Sequence, residues 1–103
     1  MSRQYKKLVR DKIPEIIRAN GKEPITRILN DEEYLKELIK KLHEETDEFA
    51  AQPSLEELAD IQEVLYALLK SMGFTKEDLE RLGHDKTTTR GGFNKRVFLE
   101  SVE

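Results

Sequence analysis

The chain has 103 residues, 21 of them acidic and 18 basic, for a formal net charge of −3. That balance argues against a nonspecific nucleic-acid coat, and the absence of cysteine excludes disulfides, thiolate nucleophiles and Cys-ligated zinc. With 38% charged and 37% hydrophobic residues, the chain folds only if its apolar side chains fall in stripes.

The first predicted element is a short helix over about Pro14–Ala19. Proline is tolerated in a first turn, Asp11 is a candidate cap upstream, and Asn20-Gly21 stops the helix. Pro24 to Leu29 is β-branched and partly alternating, which predicts a short strand. Asn30 or Asp31 caps the second helix, whose apolar set Leu35, Leu38, Ile39, Leu42, Thr46 and Phe49 recurs at spacings of three and four. It ends near Ala50–Gln52, before Pro53, and Ser54 with Glu57 matches a capping box for the third helix, about Leu55–Met72. That helix is apolar around most of its girth, a pattern of central or self-associating helices. A short fourth helix starts at Thr75 and ends at Gly83. His84–Gly92 reads as a polar loop, and Arg96–Leu99 as a second strand that would pair with residues 25–29.

The fold expectation is therefore a mainly α domain over residues 1–103, with a helical-hairpin core, at most a small β element, and an oligomeric helical bundle as the assembled form. A homodimer or homotetramer would cover the third helix. No stretch approaches the ~20 apolar residues of a membrane span. The basic start is not followed by the apolar run of a secretory signal, so a soluble cytoplasmic protein is expected.

The informative chemistry lies on the hairpin. Glu45 and Glu48 are three residues apart on the second helix, as are Glu57 and Asp60 on the third, so each pair shares a helix side. In an antiparallel hairpin Glu48 is level with Glu57, and Glu45 with Asp60 about 4.5 Å further along the axis. Carboxylates drawn together repel, and a hard divalent cation such as magnesium relieves them. Glu45 is the most telling of the four, because it shares a face with Leu38, Leu42 and Phe49. On spacing alone a solvated acidic face is the stronger reading, and the level pairing and the position of Glu45 bring the two to parity; Glu57 can serve simply as the partner of the Ser54 cap.

The run Glu44-Glu45-x-x-Glu48 followed by Glu57-x-x-Asp60 resembles the MazG-like, all-α nucleoside triphosphate pyrophosphohydrolases, a superfamily that includes phosphoribosyl-ATP pyrophosphohydrolases. Lys7-Leu8-Val9-Arg10-Asp11-Lys12-Ile13-Pro14 and Arg90-Gly91-Gly92-Phe93 resemble a small single-domain branch of it. The resemblance implies hydrolysis of the α–β phosphoanhydride of a nucleotide, giving a monophosphate and pyrophosphate. It implies magnesium ligands at Glu45, Glu48, Glu57 and Asp60, with Glu44 or Glu48 orienting or deprotonating the attacking water. The chain departs from the pattern in its short turn between the two acid pairs and in Ala67, where many relatives carry asparagine.

An anionic substrate needs cations as well. Arg10, Lys12, Lys86 and Arg90 are the candidate phosphate-binding residues, and arginine suits phosphate through its planar fork of donors. Gly91-Gly92 is no P-loop, and His43 and His84 have no partner suggesting a triad. Tyr66 and Phe49 are expected in the core, with Tyr5 and Phe93 as weaker stacking candidates. Two alternatives remain: a phosphoribosyl-ATP substrate, and a non-catalytic oligomerisation or adaptor module resting on the apolar third helix. Stable nucleic-acid binding is not expected.

Overall fold

The computed structural model describes residues 4–103, and its regular elements are all helices. Four occur among the described residues: α1 (Ile13–Ala19), α2 (Asp31–Ala51), α3 (Leu55–Ser71) and α4 (Lys76–Arg90). The chain forms two compact units, Met1–Gly73 and Phe74–Glu103.

The first unit is built on an α2–α3 hairpin. Asn30 starts α2 with a full capping box: its side chain accepts from the Glu33 N–H at 2.9 Å, and the Glu33 carboxylate accepts from the Asn30 N–H. Glu33 also accepts from both terminal guanidinium nitrogens of Arg27, at 2.9 and 3.3 Å, which ties the approach segment to the helix start. Pro53 ends the hairpin's turn. Ser54 then caps α3 by accepting from the Glu57 N–H at 3.1 Å. Buried apolar side chains are few: Leu38 of α2, at 3% exposure, faces the interior with Val64 of α3. The third buried residue of the hairpin is Glu45.

α1 begins one residue earlier than the sequence suggests. Lys12 stands at its N-cap without a side-chain bond, so Asp11 does not cap it. Proline in the first turn fixes the backbone there without one.

The expected strands do not form among the described residues. Residues 24–29 carry no ladder, and Ile25 and Ile28 stand 94% and 96% exposed. Alternating β-branched residues make a strand only where a partner supplies the other half of the hydrogen bonds. At the other site, Arg96 has φ +58° at the very start of the expected strand, which breaks the extended run.

The second unit differs from expectation in the length of its helix. α4 does not end at Gly83 but continues through His84–Thr89 to Arg90. Gly83 lies in ordinary helical backbone, whereas Gly91 adopts φ +83° and terminates the helix. The first glycine after a helical run is thus a tolerated interior residue, and the second is the stop. Thr75 and Asp78 form a capping box at the other end, with bonds of 3.1 and 2.9 Å.

Candidate functional site

The hairpin register brings Glu45, Glu57 and Asp60 together. One carboxylate oxygen from each lies within 4.8 Å of the others. Glu45 reaches this place because it follows Leu38 by seven residues, two helical turns, on the face that meets α3. Glu57 and Asp60 reach it from the first two turns of α3. The Ser54 cap uses the backbone N–H of Glu57, which leaves its carboxylate for the cluster.

Glu45 is 7% exposed and its Oε2 is buried without a hydrogen-bond partner; Glu57 Oε2 is in the same condition. Two buried carboxylate oxygens without donors are costly, and a cation bound between them would offset that cost. All three groups offer oxygen, the ligand type of magnesium and calcium. The residues therefore fit a hard divalent ion.

The electrostatics agree. Burial, then hydrogen bonds with Glu45 and Glu48, then the charges of those two groups push Glu57 up to about 7.

The remaining predicted residues are distributed around this centre. Glu48 is exposed, at the rim rather than among the three converging oxygens, and its charge helps to raise the Glu57 pKa. Glu44 is turned aside, 3.5 Å from Lys41 and 3.8 Å from Lys7. Arg10 donates to Asp60 Oδ1 at 2.7 Å, so a residue expected to meet phosphate rests on an expected metal ligand. Lys12 joins Arg10 on the wall of a cavity of about 390 Å³ between residues 8–12 and the hairpin, with Glu45 and Asp60 also in its lining. That volume lies within the usual range of small-molecule sites. Lys86 and Arg90 belong to the second unit, four residues apart on one exposed side of α4. His43 and His84 are exposed.

Lys41 and Tyr34, both on the cavity wall, were not singled out from the sequence. Lys41, its side chain 18% exposed, stands 3.6 Å from Glu45 Oε1. Its signal was available in the i,i+4 spacing to Glu45. Tyr34 lies seven residues before Lys41 and lines the same cavity. Ala67, at the position where the resemblance implies asparagine, is also on this wall.

Comparison with known proteins yields one short likeness. The chain is 54% identical over 44 residues to an uncharacterized protein of Mycolicibacterium smegmatis. The match covers 43% of this chain and 45% of that protein, so the chain spans less than half the length of the relative it matches. No family model matches the chain, and no solved structure matches it.

Proposed function

We propose that the protein is a magnesium-dependent nucleotide pyrophosphohydrolase, cleaving a nucleoside triphosphate between its α and β phosphates to release a monophosphate and pyrophosphate. The observation that carries the reading is the convergence of Glu45, Glu57 and Asp60, with two buried carboxylate oxygens that lack donors. The resemblance of the acidic pattern and of both end motifs to the MazG-like enzymes supplies the reaction.

Glu45, Glu57 and Asp60 would hold the ion, with Glu48 able to join from the rim. Bound there, magnesium supplies neutralisation of phosphate charge, a fixed reacting geometry and a more nucleophilic water. Lys41 compensates Glu44 and Glu45 from within α2 and remains with them. Glu48 is the better placed of the two candidates to orient or deprotonate water, since Glu44 is occupied by Lys41 and Lys7. Lys12 and Arg10 line the cavity from which a phosphate chain would approach.

The test is pyrophosphate release from a panel of ribo- and deoxyribonucleoside triphosphates and phosphoribosyl-ATP, with and without magnesium. Release that needs magnesium and falls to background in Glu45→Gln supports the reading. Activity confined to phosphoribosyl-ATP narrows the substrate to that one. No release, together with no magnesium-dependent rise in melting temperature, favours a non-catalytic module.

The same proposal includes a cytoplasmic homodimer or homotetramer. No helix of the described residues is long and apolar enough to cross a membrane. α3 and its C-cap nonetheless leave Leu55, Leu58, Leu65 and Met72 exposed, as a helix does when another chain covers it. Light scattering coupled to size exclusion tests this, and a monomer at micromolar concentration rejects it.

A further inference from the structure

The carboxylate cluster is flanked by two cations in different circumstances. Lys41 stands on α2, its side chain largely buried, and its helix holds it beside Glu44 and Glu45. Arg10 comes from the irregular segment ahead of α1. Its carbonyl accepts from the Ile13 N–H at 3.0 Å, which ties its backbone to the start of α1. Its side chain is 57% exposed, and among the described residues Asp60 is its only ion-pair partner. A long side chain on a tethered base, with one bond and an open side, can change partners while the backbone stays in place.

Asp60 differs from its neighbours in the same way. Glu45 and Glu57 each keep a buried oxygen without a donor, whereas Asp60 holds a guanidinium at 2.7 Å. The cation requirement of the cluster is therefore met at one corner by the chain itself. That corner faces the cavity, which Arg10 and Asp60 both line.

We propose that Arg10 is an exchangeable counter-ion of the site. It holds Asp60 while the carboxylates carry no metal, and passes to a substrate phosphate when a divalent cation takes Asp60. The inference rests on the metal-site reading given above. A guanidinium and a divalent cation repel each other, and both draw on the same carboxylate, so the one that can leave does so. Arginine carries five N–H donors in a planar fork, and the released fork matches two phosphate oxygens at once. The exchange would couple metal loading to substrate capture: Arg10 becomes free for phosphate once the cluster has its ion. A residue that only braced Asp60 for the metal would have the opposite effect on metal affinity, and this difference makes the proposal testable.

The experiment is calorimetric titration of the metal-free full chain with manganese or magnesium, without nucleotide, for wild type, Arg10→Gln and Arg10→Lys. Pyrophosphate binding to the metal-loaded proteins is measured in parallel. Arg10→Gln should tighten metal binding by about two- to fivefold, the range for losing a half-exposed ion pair. It should weaken pyrophosphate binding by about tenfold or more, as for loss of hydrogen bonds to a charged group. Arg10→Lys, which keeps the charge without the fork, should keep wild-type metal affinity and lose part of the pyrophosphate affinity. Unchanged or weaker metal binding in Arg10→Gln overturns the exchange and makes Arg10 a bracing residue. Absence of metal binding in wild type and both variants overturns the site itself, a separate outcome from failure of the exchange.

Discussion

α2 and α3 place their apolar residues on faces that meet, and between them bury Leu38, Val64 and a glutamate. α4 is of comparable length to α3, but its side chains are exposed except for the half-buried Asp78. Packing holds the hairpin, whereas local bonds specify α4: the Thr75–Asp78 box at its start, the Arg81–Asp78 pair at 2.7 Å, and Gly91 at its end. A helix of about 15 residues is marginal in water on local terms alone. The hairpin spends part of its small core on Glu45, which a domain selected for stability alone would replace by an apolar residue. The packed region thus holds a buried carboxylate, which is the feature that the proposed function uses.

The largest effect should follow from breaking the packed region. Leu38→Ala removes the most buried side chain and should cost about 2–5 kcal/mol, a large fraction of the stability of a small domain. Denaturant unfolding followed by helical circular dichroism gives the value. Hydrogen exchange should show the loss in α2 and α3, with protection in α4 unchanged. Equal loss in α4 would make the two regions one cooperative unit.

The next effect concerns the charge held in the hairpin. Glu57 has its pKa raised from 4.5 to about 7. Between those values the unfolded chain has lost its proton while the folded chain keeps it, so folding takes up a proton and stability falls as pH rises through this window. Below 4.5 the group makes no difference, and above about 7 its penalty is complete. The metal-free protein should therefore melt at a lower temperature at pH 8 than at pH 5.5, as far as this group is concerned. Magnesium should raise the melting temperature more at pH 8 than at pH 5.5, because protons compete for the site. At a hundredfold excess over Kd, native-state binding stabilises by about 2.7 kcal/mol. Glu57→Gln should flatten the pH dependence and reduce the magnesium effect. A magnesium shift of equal size at both pH values would show that Glu57 is no ligand.

How much was legible in the sequence follows the same division. α2 and α3 were readable to within a residue or two, because period, cap residues and Pro53 agree there, and the hairpin register accounts for the proximity of Glu45 and Asp60. The rim position of Glu48 was not legible, since spacing leaves helix rotation open. Nor was the pairing of Arg10 with Asp60, fifty residues apart, which no local pattern encodes. Lys41 was legible by its spacing to Glu45 and was overlooked beside the acids. The strands were misread because alternation signals a face but not the existence of a partner. α4 was cut short because a glycine stops a helix only where its φ turns positive, and composition does not report φ.

Thr75→Ala tests the other side of the comparison. Removing the cap hydroxyl costs about 1 kcal/mol and leaves the Asp78 N–H without its acceptor. With little packing to resist, the loss should appear as fraying of α4, read as lower amide protection over residues 76–80, while the melting of the hairpin stays fixed.

The smallest expected effect is a gain. Gly83 has helical backbone, and a Cβ built on it meets no atom within 4 Å. Gly83→Ala therefore adds no clash and removes the excess freedom that glycine retains in the unfolded chain. It should stabilise α4 by about 0.5–1 kcal/mol. Because α4 is held by local terms, nearly all of that gain should appear as higher amide protection between residues 80 and 90. The same substitution at Gly91 should have the opposite sign, since φ +83° there is strained for any residue with a Cβ. The pair forms an internal control. If both alanines destabilise, Gly83 faces a surface that a methyl group obstructs, and the open side of α4 is then a contact face between copies of the chain.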